Sequence, residues 1–475
     1  MSDTIQPTPT NEIKTLKTIS DFAKRNGFVY QGSEIYGGLA NTWDYGPKGI
    51  LLKNNIKEAW RQHFITERTD MVEVDSGIFM NPKVWEASGH VSGFADCMID
   101  CKECKSRFRA DHLIEEACDI DVEGWTTEQI TETVGDKKIK CPKCKSQNWT
   151  EARYMNLMFE TNRDKIGNDP AQKIYLRPET AQGIFVNFKN VLQTERRKIP
   201  FGIGQIGKAF RNEITPGNFN FRVIEFEQME IEYFIKPPVN YEDANPQFYE
   251  LLELQKQFLT NKIGLNPDNL VEKIHSEDKL SHYSKKSSDW NYNYPFGSSE
   301  LTGLAYRTDF DLTQHSTHSG VELSYLDPET NTKYIPHCIE PTVGVDRLLL
   351  AVLCDFYTEQ KIENDTRILF KLPFNLAPYK IAILPLMKKD GMSEKATEIY
   401  KNLKKQGISC IYDESGSIGK RYRRQDENGT PWCMCVDFDS VKDDTVTLRH
   451  RDTMEQVRVL VSEVLGFLSK KKFGV

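Results

Sequence analysis

Four cysteines fall in two tight pairs, Cys101-x2-Cys104 and Cys141-x2-Cys144, while others scatter through apolar contexts such as Leu353-Cys354 and Trp432-Cys433. A two-residue gap lets both sulfurs of a pair reach one ion, so the two pairs supply the four thiolates of a tetrahedral structural zinc site. Four sulfur ligands leave no position open for a substrate water, which makes the expected role structural. The intervening stretch, residues 105–140, is longer than the usual ribbon spacing, so two unrelated thiol pairs stay open as the alternative. Cys97 and Cys118 are spares.

A second group of residues carries charge into a pattern of strands. Phe210-Arg211-Asn212-Glu213 is followed by a turn-rich loop, Ile214 to Phe219, and then by Phe221-Arg222-Val223-Ile224-Glu225-Phe226-Glu227-Gln228-Met229-Glu230. Two antiparallel strands joined by that loop would gather these side chains, and period-two alternation puts Phe226, Gln228 and Glu230 on one face. So many carboxylates need partners, because burying an unpaired charge is expensive. A cationic or hydrogen-bonding ligand is the simplest partner; an edge strand with one solvated face is the other reading. Downstream, Glu340-Pro341-Thr342-Val343-Gly344-Val345-Asp346-Arg347 runs from a strand end into a helix, offering free N–H groups and an arginine to an anion.

The elements that position these residues are legible in outline. Apolar residues at three- and four-residue steps, Leu52, Ile56, Ala59, Trp60 and Phe64, predict an amphipathic helix over 45–68, started by Gly46-Pro47. A short strand, Met71-Val72-Glu73-Val74, and a turn at Asn81-Pro82 follow. From Cys97 to about Trp149, cysteine, lysine and acidic residues replace large aliphatics, which reads as an inserted module without a large core. Residues 173–235 are dense in strand and glycine signals, with 221–235 the longest β-like run; 240–264 reads as a helix. Residues 285–313, 319–325 and 334–339 read as strands, and 341–353 as a glycine-started helix. Beyond a boundary at 372–378 the pattern predicts strands at 379–386, 408–412, 432–438 and 445–448. It also predicts a helix over 393–406 ended by Gly407 and a closing helix over 455–468. That is an α/β domain of about 100 residues.

A chain of 475 residues has room for two to four domains and a substantial core. Its apolar share of 39% and charged share of 28% belong to globular proteins. No apolar run approaches the roughly 20 residues of a membrane span, and Met1 to Thr10 is polar, so a soluble cytoplasmic protein with no membrane association is expected. A net charge of −7 speaks against indiscriminate nucleic-acid binding while allowing a local basic surface. Gly419-Lys420-Arg421-Tyr422-Arg423-Arg424-Gln425 and Glu195-Arg196-Arg197-Lys198 are candidates, each equally readable as a solvated face.

The segments around Arg211 and Arg347 resemble motifs 2 and 3 of class II aminoacyl-tRNA synthetases, and the surrounding text resembles the dimeric glycyl-tRNA synthetases. The resemblance is carried by Tyr45-Gly46-Pro47, by Met80 to His90 (MNPKVWEASGH), and by Arg109-Ala110-Asp111-His112. It continues through Arg177 to Gly183 (RPETAQG) and Arg307 to Leu312 (RTDFDL), so that it covers nearly the whole chain from about residue 20. The fold it implies is α+β: a class II catalytic domain on an antiparallel sheet, an inserted zinc-binding module and a C-terminal α/β anticodon-binding domain. The expected division is a disordered segment 1–10, a catalytic domain 11–372 with its module at about 97–150, and an anticodon-binding domain 373–475.

The resemblance also implies roles. ATP contacts would come from Arg211, Asn212, Glu213, Phe221, Arg222, Val223, Ile224, Glu225, Phe226, Glu300, Leu301, Gly344, Val345, Asp346 and Arg347. Among these, Arg211, Arg222 and Arg347 would be catalytic. Arg211 would take the α-phosphate and the glycine carboxylate, Glu213 the adenine amino group, and Arg222 the terminal phosphates. Phe226 would stack on adenine, with Arg347 on its opposite face or near the γ-phosphate. Glu300 would hold Mg²⁺ against the phosphates. Glycine contacts would come from Arg109, Glu179, Phe226, Glu227, Gln228, Met229, Glu230, Arg307, Glu340, Pro341, Thr342, Val343 and Gly344, with carboxylates reading the ammonium and a tight wall refusing larger side chains.

Segment 43–82 resembles motif 1, through which class II subunits pair, so a two-fold homodimer is expected. tRNA(Gly), glycine and ATP are the implied partners, and the Lys420 to Arg424 run would touch tRNA phosphates or line the domain interface. Two positions depart from the family pattern. Thr342 stands where serine is usual, keeping the hydroxyl and narrowing the pocket. Gly217, after Pro216, replaces the usual arginine and puts a contact to the tRNA acceptor end in doubt. The alternatives are a synthetase of the same subclass for proline, threonine or histidine, and an inactive nucleic-acid-binding relative.

Overall fold

The computed structural model describes residues 14–472, apart from 121, 123–124, 164–172, 214–216, 277–279, 281–282 and 363–364. The expected disordered segment 1–10 and the first part of the turn-rich loop, 214–216, lie outside the described residues.

The centre is a seven-stranded sheet. Its spatial order is Leu270–Ile274, Lys286–Tyr294, Gly297–Thr308, His337–Gly344, Glu225–Ile235, Phe201–Phe210 and Met71–Glu73. Every pairing is antiparallel except the last, in which Met71–Glu73 runs parallel to Phe201–Phe210. Alternation gives each strand two faces with different chemistry. Met229, Ile231, Tyr233, Trp290, Tyr292, Leu304, Ile339 and Val343 point to one side, into a large core shared with Leu52, Ile56 and Trp60 of helix Pro47–Arg61, with helix Asn245–Gln257 and with helix Val345–Phe356. The other side is packed at one end only. There Ile184, Phe185 and Phe188 of helix Ala181–Thr194, with Leu312 of helix Phe310–Ser319, cover Phe201, Ile203, Phe234 and Cys338. The rest of that side is lined by polar residues and carries the site described below.

The inserted module is a three-stranded antiparallel sheet, Ala95–Asp100, Arg107–Arg109 and Arg153–Asn156, with helices Ala110–Cys118 and Thr127–Asp136. Its buried set, including Ile99, Leu113, Ile114, Ile130, Val134 and Ile139, is small. After residue 372 a mixed five-stranded sheet forms in the order Cys410–Tyr412, Ile381–Pro385, Trp432–Val436, Thr445–His450 and Gln456–Leu460. It has its own core around Ile381, Ile383, Met434, Val436 and Leu448. Among the described residues no helix is long and apolar enough to cross a membrane.

Several elements differ from the sequence reading. The strand-like region 173–235 contains helix Ala181–Thr194, whose buried Ala181, Ile184, Phe185, Phe188 and Val191 follow helical spacing. Of residues 319–325 only Tyr325 is in a strand, the short Tyr325–Leu326: Ser319 ends helix Phe310–Ser319, and Gly320 at φ +70° closes it. Pro341 to Gly344 finish a strand, so the helix begins only at Val345. The closing helix shrinks to Val464–Lys472, because Gln456–Leu460 pairs along Thr445–His450 as an edge strand.

The basic run 419–425 lies within a helix, Ile418–Asn428. Its arginines are engaged internally: buried Arg421 donates to the carbonyls of Pro385 and Leu386, Arg424 pairs with Asp413 at 2.7 Å, and Arg423 with Asp365 at 3.1 Å. Asp365 sits on strand Asp365–Phe370, so this helix faces the segment that precedes the C-terminal sheet. The same junction buries Arg367, which donates to Asp426 at 2.8 Å and to the Arg451 carbonyl at 2.7 Å. Asp426 also meets Arg449 at 3.3 Å, but Arg367→Met leaves its other oxygen and the Arg451 carbonyl without their donor, which should cost about 1–3 kcal/mol. A lower midpoint of urea denaturation reads that loss.

Candidate active site

The open part of the sheet's polar face holds a cavity of about 220 Å³. Strand Glu225–Ile235 contributes Phe226, Gln228 and Glu230, as the alternation requires; strand Gly297–Thr308 contributes Glu300, Leu301 and Arg307; strand His337–Gly344 contributes Glu340, Thr342 and Gly344. Glu179, Arg211, Glu213, Phe221, Arg222, Val223, Tyr283 and Arg347 complete the wall.

The inner end is an acidic recess organised by Arg307. Its guanidinium makes a bidentate pair with Asp311, at 2.8 and 2.9 Å, and donates to Glu340 at 3.0 Å. The Tyr283 ring lies 4.1 Å from it. Glu230 accepts from the Thr180 amide at 3.0 Å, from Gln228 Nε2 at 2.7 Å and from the Thr342 hydroxyl at 3.0 Å. The Thr180 hydroxyl also donates to it. Glu179 lies 3.3 Å from His90 Nε2 and accepts from Gln182 at 3.0 Å.

These carboxylates do not titrate alike. Burial opposes the charge of Glu179, but His90, Arg307 and Gln182 overcome it and hold its carboxyl far below the usual range. Burial pushes Glu340 up to about 8, with Arg307 opposing and the charges of Glu230 and Glu179 adding to the rise. Burial and neighbouring Glu179 raise Glu230 as well. Deeper on the same strand face, Glu232 accepts from the Cys338 thiol at 2.9 Å, and burial with the charge of Glu340 raises it well above normal. Gln228 donates through Nε2, and its buried Oε1 has no partner; deeper in, Glu232 Oε1 has none either. A buried acceptor without a donor costs about 1–3 kcal/mol. The recess therefore suits a small ligand that carries N–H groups and positive charge.

The outer end is cationic and aromatic. Arg211 donates to the Pro178 carbonyl at 3.0 Å and lies 5.4 Å from the Phe226 ring. Arg347 lies 4.6 Å from the Phe221 ring and 3.2 Å from Glu300, whose carboxyl it holds below the usual range. Arg222 faces Glu213 at 3.9 Å. Here an anion meets three guanidiniums beside two aromatic faces.

The sequence-predicted set divides. Arg211, Glu213, Phe221, Arg222, Val223, Phe226, Glu300, Leu301, Gly344, Arg347, Glu179, Gln228, Glu230, Arg307, Glu340 and Thr342 all reach the cavity. The side chains of Met229, Val343 and Val345 instead lie in the core on the sheet's far side, where alternation and the helix start direct them. Pro341 is buried, Glu225 pairs with Lys208 at the surface, and Asn212 and Ile224 stand behind the wall, their amides bonded to the carbonyls of Leu157 and Asn41. Arg109 is occupied by Asp111 and Asp96. Glu227 and Asp346 touch the cavity, but the carboxylates are spent on Lys53, at 2.8 and 3.0 Å. Arg347 rests on Phe221. The sequence reading gave no role to His90, Gln182, Thr180, Asp311 or Tyr283. Their signal is contact made through the fold, as between His90 and Glu179, Thr180 and Glu230, or Gln182 and Asp311, which local spacing does not carry.

The four cysteines form one group. All four Sγ atoms lie within 4.8 Å of one another, with Cys101 to Cys144 at 3.5 Å and Cys104 to Cys141 at 3.7 Å. The two knuckles repeat one turn: Cys101 N–H donates to Ser106 and Cys141 N–H to Ser146, and Lys105 and Lys145 are left-handed at φ +57° and +64°. Sulfurs bound to zinc at about 2.3 Å sit roughly 3.8 Å apart at the corners of a tetrahedron, so this group can hold a metal ion.

Comparison with known proteins agrees with this architecture. A family model described as "tRNA synthetase class II core domain (G, H, P, S and T)" matches residues 159–356, and one described as "Anticodon binding domain" matches residues 380–471. The glycine--tRNA ligase of Caldanaerobacter subterraneus subsp. tengcongensis is 54% identical over 96% of this chain and 98% of its own length. Those of Alkaliphilus oremlandii and Bacillus anthracis are 53% and 54% identical, again over 96% of this chain and 98% and 99% of theirs. Identity at that level from end to end shows that this chain belongs to the glycine–tRNA ligases, a family of class II aminoacyl-tRNA synthetases.

Proposed function

We propose that the chain activates glycine with ATP, forming glycyl-adenylate and pyrophosphate, and then transfers glycine to the 3′ end of tRNA(Gly). The observation that carries this reading is the single cavity in which an acidic recess with an orphan acceptor adjoins a cationic, aromatic groove. Glycine's ammonium would enter the recess between Glu179, Glu230, Glu340 and the Gln228 carbonyl. Its carboxylate would then point outward to Arg211, which also holds the α-phosphate. In-line attack on that phosphorus forms the carboxyl–phosphate bond and breaks the bond to pyrophosphate, while the guanidinium stabilises the charge that gathers on the phosphoryl oxygens. Glu213 would accept from the adenine amino group, Phe226 and Phe221 flank the base, and Arg222 and Arg347 take the terminal phosphates. Retention of these arginines disfavours the inactive-relative reading.

Selectivity would come from space. Thr342 lines the recess with a methyl as well as its hydroxyl, which narrows the space left for an amino acid with a side chain.

Glu300, half exposed beside the groove, would hold Mg²⁺ with the ATP phosphates; the ion would neutralise phosphate charge. We assign zinc to the four-cysteine group, as the staple of a module whose core is small. Domain limits of 11–372 and 373–475 and a cytoplasmic location, where thiols stay reduced, belong to the same reading. So does a two-fold homodimer, supported by Ile35 and Tyr36, which are 89% and 87% exposed in the segment that precedes the motif-1-like stretch.

Glycine-dependent ATP–pyrophosphate exchange tests the reaction. Arg211→Ala should reduce exchange by about 100- to 1000-fold while the far-ultraviolet spectrum stays unchanged; full activity would remove Arg211 from the mechanism. Metal analysis should find about one zinc per chain, and chelation should unfold the module around residues 97–150. Four freely reactive thiols in the folded protein would contradict that assignment.

A further inference from the structure

Lys53 belongs to helix Pro47–Arg61, outside the cavity, and is only 5% exposed. Its ammonium lies 2.8 Å from Glu227 Oε2, 3.0 Å from Asp346 Oδ1 and 4.1 Å from the centre of the Tyr45 ring. Lys57, one turn on, pairs with the other Glu227 oxygen at 3.1 Å. Two lysines and two carboxylates thus balance where little water reaches Lys53 and Asp346, and each keeps the others charged.

The hub is tied to the ATP side of the cavity through the backbone. Asp346 Oδ2 accepts from the Glu227 amide at 2.7 Å, Oδ1 also accepts from the Tyr45 hydroxyl, and the Asp346 carbonyl accepts from buried Asn220 at 3.0 Å. Asp346 immediately precedes Arg347, Asn220 precedes Phe221, and Glu227 follows Phe226. The three side chains that would enclose the adenine and terminal phosphates are therefore each one residue from an atom fixed on this hub. By contrast, Arg307 and Asp311 order the glycine recess, and neither touches it.

We infer that Lys53 is a positioning residue for ATP: acting through Asp346 and Glu227, it sets Arg347, Phe221 and Phe226 in register without meeting the nucleotide. The inference rests on the reaction proposed above. Removing the ammonium leaves Asp346 without its cation beside Glu227, which keeps only Lys57. Repulsion between the two carboxylates would open the helix entrance at Val345 against strand Glu225–Ile235, and the glycine recess would stay closed.

The test is pyrophosphate exchange by the full chain, with ATP and glycine varied separately, for Lys53→Met, Lys53→Arg and the charge-balanced pair Lys53→Met with Glu227→Gln. Lys53→Met should raise the KM for ATP about tenfold and leave that for glycine within about twofold, and Lys53→Arg should recover most of the loss. If Lys53→Met fails to fold, the balanced pair, which also removes one of the repelling carboxylates, should fold and raise the ATP KM alone, by about two- to fivefold, because Asp346 still loses its cation. An unchanged ATP KM in a folded variant, or equal shifts in both KM values, would overturn the positioning role. Absence of glycine-dependent exchange in the unaltered protein would instead count against the reaction.

Discussion

Glu179, Glu230, Glu232, Glu340 and Asp311 are gathered with the guanidinium of Arg307 in the middle of a sheet, where little water reaches them. Carboxylates in such a place either find partners or take up protons. Both happen. Arg307 serves Asp311 and Glu340, His90 with Gln182 serves Glu179, and hydroxyls and amides serve Glu230, yet burial still pushes Glu230, Glu232 and Glu340 upward. The recess is thus poised for a small cation. An ammonium supplies the charge and the N–H donors that the protein withholds, and glycine is the smallest amino acid that carries one.

The rest of the fold makes that poise affordable. One face of the sheet is committed to a large apolar core, which keeps the strands rigid. The other is capped at one end by helix Ala181–Thr194, whose start at Thr180 meets Glu230. Positive backbone ends there favour a nearby carboxylate. Alternation along Glu225–Ile235 keeps the two roles apart: Met229, Ile231 and Tyr233 build the core, while Phe226, Gln228 and Glu230 build the pocket. Lys53 and Arg307 show that a similar solution serves both ends of the cavity, with a buried cation shared between two carboxylates from distant segments.

Local pattern in the sequence carried much of this. The period of helix Pro47–Arg61, the alternation at Phe226, Gln228 and Glu230, and the two cysteine knuckles are short-range signals. Family resemblance, rather than pattern, pointed to Glu300 and Arg307. What stayed hidden depends on pairing at a distance. Gln456 to Leu460 becomes a strand because Thr445–His450 offers an edge, although its apolar residues also suit a helix. Ala181 to Thr194 is rich in Phe and Val, which favour strands, and only packing against Phe201 and Phe234 selects its helical face. Arg421 to Arg424 read as a basic surface until Asp413, Asp365 and the carbonyls at 385 and 386 claimed them. Asp346 likewise read as a ligand residue, and its carboxylate turned out to face Lys53 and Tyr45.

Proton uptake or release on binding tests the central claim most directly. Glu340 is pushed up to about 8, so in the empty protein at pH 7 it is mostly protonated. An ammonium in the recess favours the carboxylate, lowers that pKa and expels the proton, so affinity should rise with pH toward about 8. Calorimetry with the sulfamoyl analogue of glycyl-adenylate, in two buffers of different ionisation enthalpy at pH 7, should detect net proton release. The same analogue without its amino group should show none. Equal heats in both buffers for the amino-bearing compound would contradict an acidic recess that reads glycine by its charge.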